Sequence, residues 1–193
     1  MGVRVLEDDL TAKARIRNAA LELYACHGEG SVSLRTIAGA AGVTLGLVQH
    51  HFKTKAGLRD AVDRLVADHF SAALATVPDD ASTAVRDAAV RDMLRDNPPV
   101  LNYLRRNLLA PIEEHNHLLD VLVELTEREV DALRTSGRAS TTRRESTQVV
   151  AVLARQIGEL LLQPMVEAVW ERVAKPSERK PRLRVSIDEA PPR

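Results

Sequence analysis

The 193 residues hold 27 Lys or Arg against 27 Asp or Glu, with 45% hydrophobic and 28% charged side chains, which is the composition of an ordinary globular chain. A single cysteine, Cys26, excludes an internal disulfide framework, and the first residues show no signal-peptide pattern, so a reducing cytoplasm is the expected compartment. The longest apolar runs, such as Val149–Ala154, fall well short of the ~20 residues that cross a bilayer, so no membrane partner is expected.

Apolar positions recur at helical spacing along nearly the whole chain, and period-two alternation is scarce, which predicts an all-α protein without solenoid repeats. A first helix carries Ile16, Ala19, Ala20, Leu23 and Tyr24 on one stripe and stops at Gly28. After a short loop, Ser33 is placed to cap a second helix over 34–41, broken by Gly42; Thr44 caps a third reaching about Phe52. Thr54 caps a fourth, with a stripe of Leu58, Ala61, Val62, Leu65, Val66, His69, Phe70, Ala73 and Leu74, bounded by Pro78. Helices are then expected over 83–96 and 100–109, and from Pro111 to Thr135, followed by a linker at 137–142. A strongly apolar helix should run from about Arg144 to Leu162 and be kinked or restarted at Pro164. The expected organisation is a three-helix domain over 10–56, a larger helical domain over 57–174, and a proline- and charge-rich disordered tail over 175–193.

Charge is unevenly spread despite the neutral total. Between Leu10 and Arg59 seven Lys or Arg stand against two Glu, a net of +5, whereas Asp60 to Lys175 carries a net of −5. A basic module on an acidic body is the footprint of a polyanion binder whose remainder has another task.

Two short helices joined by a glycine-bearing turn are a helix-turn-helix arrangement. Ala38 allows the helices to cross closely, Gly42 relieves the turn, and Val48 fixes the second helix to the first. With Val48 and Phe52 turned inward, Leu45, Gly46, Gln49 and His50 point outward. Such a surface fits a DNA major groove, where Gln pairs bidentate with adenine and an apolar side chain meets a thymine methyl. Arg35, Thr44, His51, Lys53 and Lys55 complete the expected DNA-binding set, with Thr44 and the two lysines suited to phosphates.

Residues from about Ala12 to Leu65 resemble the DNA-binding domain of the tetracycline-repressor (TetR) family of bacterial regulators. The resemblance rests on Ile16-Arg-Asn-Ala-Ala-Leu-Glu-Leu-Tyr24, Gly28, Ser33-Leu-Arg-Thr-Ile-Ala38, Ala41-Gly-Val-Thr-Leu-Gly46 and His51-Phe-Lys-Thr-Lys-Ala-Gly-Leu58. It implies base contacts from Leu45, Gly46, Gln49 and His50 and phosphate contacts from Thr44, His51 and Lys55. Three positions depart from the pattern: Gln49 stands where the family has a tyrosine, Arg17 where it has an apolar residue, and Glu29 where it has an aromatic. The resemblance further implies a ligand-responsive repressor that binds a palindromic operator as a homodimer, its effector moving the fourth helix. Two other classes stay open: a helical-bundle adaptor without a DNA role, and a helical-bundle metalloenzyme.

Effector and dimer surfaces are argued locally. Met93, Tyr103, Asn107, His117, Leu118 and Leu122 are expected to line a cavity beside the fourth helix for a small, mostly apolar effector. The helices over 149–173 are apolar on more than one face, so Leu153, Ile157, Leu160, Leu161, Val169 and Trp170 are expected at a homodimer seam. No cofactor and no metal are expected: His115 and His117 point to different sides of a helix, and Glu114–His117 is a single copy of a spacing that di-iron bundles use twice. Gly28-Glu-Gly30 lacks the strand and third glycine of a phosphate loop, and no catalytic Ser or Cys context is present.

Overall fold

The computed structural model describes residues 2–78, 80–109, 117–181 and 183–187, with side chains from residue 11 onward. Pro111 as a helix start, Glu114, His115, and Pro191 and Pro192 of the tail lie outside the described residues. Among the described residues are eight α-helices and no strand: α1 (Gly2–His27), α2 (Leu34–Ala41), α3 (Leu45–Phe52), α4 (Lys55–Ala75), α5 (Thr83–Asp96), α6 (Pro98–Leu109), α7 (His117–Thr135) and α8 (Glu145–Val173), with a 3-10 turn at Glu29–Ser31. The chain divides into two compact units, 1–121 and 122–193.

In the first unit α1 packs against α2, α3, α4 and α6, and α5 packs against both α4 and α6. Ile16, Tyr24, Ile37, Val48, Leu58, Val62, Val66, Val100 and Leu104 fill the interior. Three hydroxyls start three successive helices: Ser33 Oγ accepts from Thr36 N at 3.1 Å, Thr44 Oγ1 from Leu47 N at 3.2 Å, and Thr54 Oγ1 from Gly57 N at 3.0 Å. Each satisfies an amide that a helix start leaves without a partner. The other end of α1 is closed from a distance, because Arg106 of α6 donates to the carbonyls of Ala25 at 3.4 Å and Cys26 at 2.9 Å. Gly42, at φ +65°, ends α2 in the left-handed conformation that glycine adopts without penalty.

The α3–α4 junction is tighter than its sequence suggests. Lys53 has φ 64° and ψ −58°, and Thr54 N donates to Phe52 O across it at 2.7 Å. This is a γ-turn of the rare, strained hand, in a residue that carries a Cβ. A Cβ on Gly57 would collide with the Phe52 carbonyl oxygen, so the turn also dictates a glycine four residues on.

The second unit is held by a few anchors. Leu122, Thr126, Val130 and Val149 are buried. Arg134 donates to the carbonyls of Ser140 and Arg143 at 3.1 and 3.0 Å and to Gln148 Oε1 at 3.1 Å, gathering the loop between α7 and α8 around one guanidinium. The helix does not restart at Pro164: α8 runs through it as one helix, since a proline ring removes one ladder donor while the flanking turns retain theirs. Contrary to the reading from short apolar runs, α8 is also long and apolar enough to cross a bilayer by length and composition. The described residues among 174–187 contain neither helix nor strand, yet Val185 sits over Gly158 and Lys180 pairs with Glu167 at 3.0 Å.

Candidate nucleic-acid interface

On α3, Val48 and Phe52 are buried while Gly46, Gln49 and His50 are exposed and Leu45 is half-buried. Position 48 is the pivot: it lies against the rest of the first unit, so the residues two before, one after and two after face away from it, while Leu45, three before, lies on its flank. Thr44 is exposed at the N-terminal cap, with its side-chain oxygen committed to the Leu47 amide. Exposed Lys53 and half-buried Lys55 follow the helix, the first held in place by the γ-turn. Arg35 is exposed in the first turn of α2 and His51 is half-buried. The result is a short, rigidly seated helix with an amide, an imidazole and an aliphatic group on its outer side and cations at its C-terminal end. That arrangement can hydrogen-bond base edges and neutralise phosphates.

The two substituted positions in α1 and the following turn are accommodated in different ways. Glu29 lies 3.6 Å from Arg59 of α4, so a charge pair occupies the place of aromatic packing. Arg17 is half-buried, and its Nε is shielded from solvent without an acceptor among the described residues. The hydroxyl of the fully buried Tyr24 is likewise without an acceptor, and burial pushes its pKa up to about 12, with Glu29 adding to the rise and Arg59 opposing it.

Of the expected effector residues, Tyr103 and Leu118 are buried in the first unit, Leu122 is buried in the second, and Asn107 spends its amide on the Tyr103 carbonyl at 2.8 Å. A groove of about 550 Å³ lies between α4 and α5, formed by His69, Ala72, Ala73, Thr76, Val85, Ala88, Ala89, Asp92 and Met93. Met93 alone of the expected residues borders it.

What Tyr103 and His117 do instead is meet at a carboxylate that the sequence did not single out. Asp63 of α4 is 1% exposed; the Tyr103 hydroxyl donates to Oδ1 at 2.6 Å and His117 Nδ1 lies 3.0 Å from Oδ2. Burial raises the Asp63 pKa against the lowering effect of both hydrogen bonds, and the neighbouring carboxylate contributes, after burial, to raising that of Tyr103. The partners lie 40 and 54 residues away along the chain. The local signal available was a charge inside the apolar stripe of α4, directly after Val62.

On α8 the expected seam residues Leu153, Ile157, Leu160, Leu161 and Trp170 are half-buried and Val169 is exposed. Leu162, Met165 and Val173 share the Val169 face at helical spacing, and these four are 41–63% exposed.

Comparison with known proteins matches these features in both sequence and fold. Residues 16–62 match the family described as bacterial regulatory proteins, tetR family. The HTH-type transcriptional regulatory protein RaaS of Mycobacterium tuberculosis (strain ATCC 25618 / H37Rv) is 40% identical over 125 residues, covering 64% of this chain and 57% of that protein. This chain thus spans little more than half the length of that relative. The multidrug binding protein EbrR, solved with imidazole, superposes with a TM-score of 0.57 at 22% identity, covering 86% of this chain and 91% of its own. A gamma-butyrolactone receptor described as ArpA-like gives a TM-score of 0.54 at 23% identity, covering 90% and 92%. These last two likenesses are of fold. The helix-turn-helix geometry and the matched segment coincide: residues 16–62 of this chain are similar to the tetR family of bacterial regulatory proteins.

Proposed function

We propose that this chain is a transcriptional regulator that binds DNA as a homodimer, represses from a palindromic operator in the cytoplasm, and releases it in response to a small molecule. The observation that carries this reading is α3: Val48 and Phe52 anchor it, while Gln49 and His50 stand free at its surface between Thr44 and the lysines at 53 and 55. Two symmetry-related copies of such a helix read two half-sites, which raises affinity far above that of one. The face of α8 carrying Leu162, Met165, Val169 and Val173 is the proposed seam, because these side chains are apolar and largely uncovered in the single chain. The α4–α5 groove is the proposed effector site: its walls are mostly aliphatic, and its helix α4 begins three residues after α3 ends. A multidrug binder and a gamma-butyrolactone receptor among the structural relatives support a small-molecule effector. No enzymatic role is proposed.

The test is selection of bound duplexes from a random pool, followed by salt titration of two variants. Gln49→Ala is expected to cost ~1–3 kcal/mol on the selected site and little on random DNA. Lys55→Ala should weaken binding to all duplexes and lower the salt slope by about one contact. Equal losses on both kinds of DNA for both variants would overturn the assignment, and an absence of salt-dependent binding would favour an adaptor.

A further inference from the structure

We infer that Asp60, Asp63 and His117 form a binding site for one divalent first-row transition-metal ion, joining α4 to the start of α7. The inference revises the expectation of no metal, which considered only neighbours of His117 on its own helix. The structure brings to that imidazole two carboxylates spaced i,i+3 on α4, and one ligand atom from each of the three residues lies within 4.8 Å of the others.

The carboxylates have acceptor positions that the described residues leave unused. Asp63 is buried and accepts from one phenol and one imidazole, whereas a carboxylate offers about four acceptor positions. Asp60 has no hydrogen-bond or ion-pair partner among the described residues. The guanidinium of Arg59 lies 3.6 Å from Glu29 and favours the charged form of Asp63 through space, without a hydrogen bond to it. Two carboxylates and one imidazole with ligand atoms within 4.8 Å of one another make a compact donor set whose charge a dication would neutralise.

The geometry suits coordination. Two donor atoms each about 2.1 Å from one ion and at right angles to each other are about 3 Å apart. Asp63 Oδ2 and His117 Nδ1 are 3.0 Å apart. Binding would place the imidazole proton on Nε2 and free the Nδ1 lone pair for the ion. Tyr103 would keep its hydrogen bond to Asp63 Oδ1, the kind of outer contact that orients a ligating carboxylate. His117 is 31% exposed, leaving a path for the ion and room for water at the remaining positions. Two carboxylates and one imidazole favour Mn²⁺, Fe²⁺, Co²⁺, Ni²⁺ or Zn²⁺ over a site built for Mg²⁺.

The test is titration of the full chain with CoCl₂, MnCl₂ and ZnCl₂ in the absence of DNA, so its outcome is separate from that of the regulator reading. One equivalent should bind, with visible d–d bands for Co²⁺ and a melting temperature that rises with ion concentration, while MgCl₂ has no such effect. Asp60→Asn and His117→Gln alter partly exposed side chains and are expected to fold, and each should weaken binding about tenfold or more. No saturable binding, or binding that both variants leave unchanged, would overturn the site.

Discussion

The first unit and α8 solve the same problem, hiding apolar side chains, by different means. From α1 to α6 each helix turns its stripe toward another helix of the same unit, and Ile16, Tyr24, Ile37, Val48 and Leu58 are shielded within one chain. On α8 Val149 alone is buried, and four large apolar residues share an open face. A self-sufficient fold is specified by its own sequence, whereas a helix of this second kind is specified together with whatever covers it. The same substitution should therefore register as lost stability in one place and lost association in the other.

The sharpest test of that contrast is a pair of matched charges. Val48→Asp places a carboxylate in the sealed interior and is expected to cost about 4 kcal/mol or more, seen as unfolding in denaturant. Val169→Asp, at a site 51% exposed, should change single-chain stability by less than about 0.5 kcal/mol while abolishing the dimer in sedimentation. If both unfold the chain, α8 is part of an internal core and the contrast fails. A second probe is steric. Gly57→Ala meets the backbone oxygen of Phe52, which has little freedom to retreat, and should cost about 1–3 kcal/mol by thermal unfolding.

Smaller effects separate seating from contact within the reading head. Thr44→Ala removes the cap to Leu47 N and should lower stability by ~1 kcal/mol, with weaker DNA binding beyond what the lost stability accounts for. Lys53→Gly should act in the opposite sense on the fold: relief of the γ-turn is expected to add about 1 kcal/mol, while loss of the cation weakens DNA binding. If thermal unfolding finds the Lys53→Gly variant no more stable than its parent, the turn carries no strain.

How far these features could be read in advance follows from how local they are. Ser33, Thr44 and Thr54 each cap a helix through an amide three residues away, so the pattern of hydroxyls before apolar runs was sufficient to place them. The outward positions of Gly46, Gln49 and His50 on α3 followed from Val48 and the helical period, whereas Leu45, expected with them, lies one near-turn before Val48 and is half-buried. Asp63 was not legible, because its meaning depends on Tyr103 and His117, both far along the chain. Its position inside the apolar stripe of α4 was a signal that something polar must meet it, but not what. The turn at Lys53 was hidden for another reason: a lysine there gives no sign of positive φ, and the glycine that the turn requires appears four residues later. The groove between α4 and α5 was hidden because small residues such as Ala72, Ala73, Ala88 and Ala89 leave the room, and alanines in a helix give no sign of the space beside them.

Gly158 offers a different kind of consequence. Glycine inside a helix is less favourable than alanine by ~1 kcal/mol, so an exchange to alanine would ordinarily be a gain. Here an added Cβ would stand 2.9 Å from Val185 Cγ2, and the gain can be collected only after residue 185 has become smaller. The two positions are therefore epistatic. Evolution from this sequence can reach a more helical α8 only in one order, with the change at 185 preceding the change at 158.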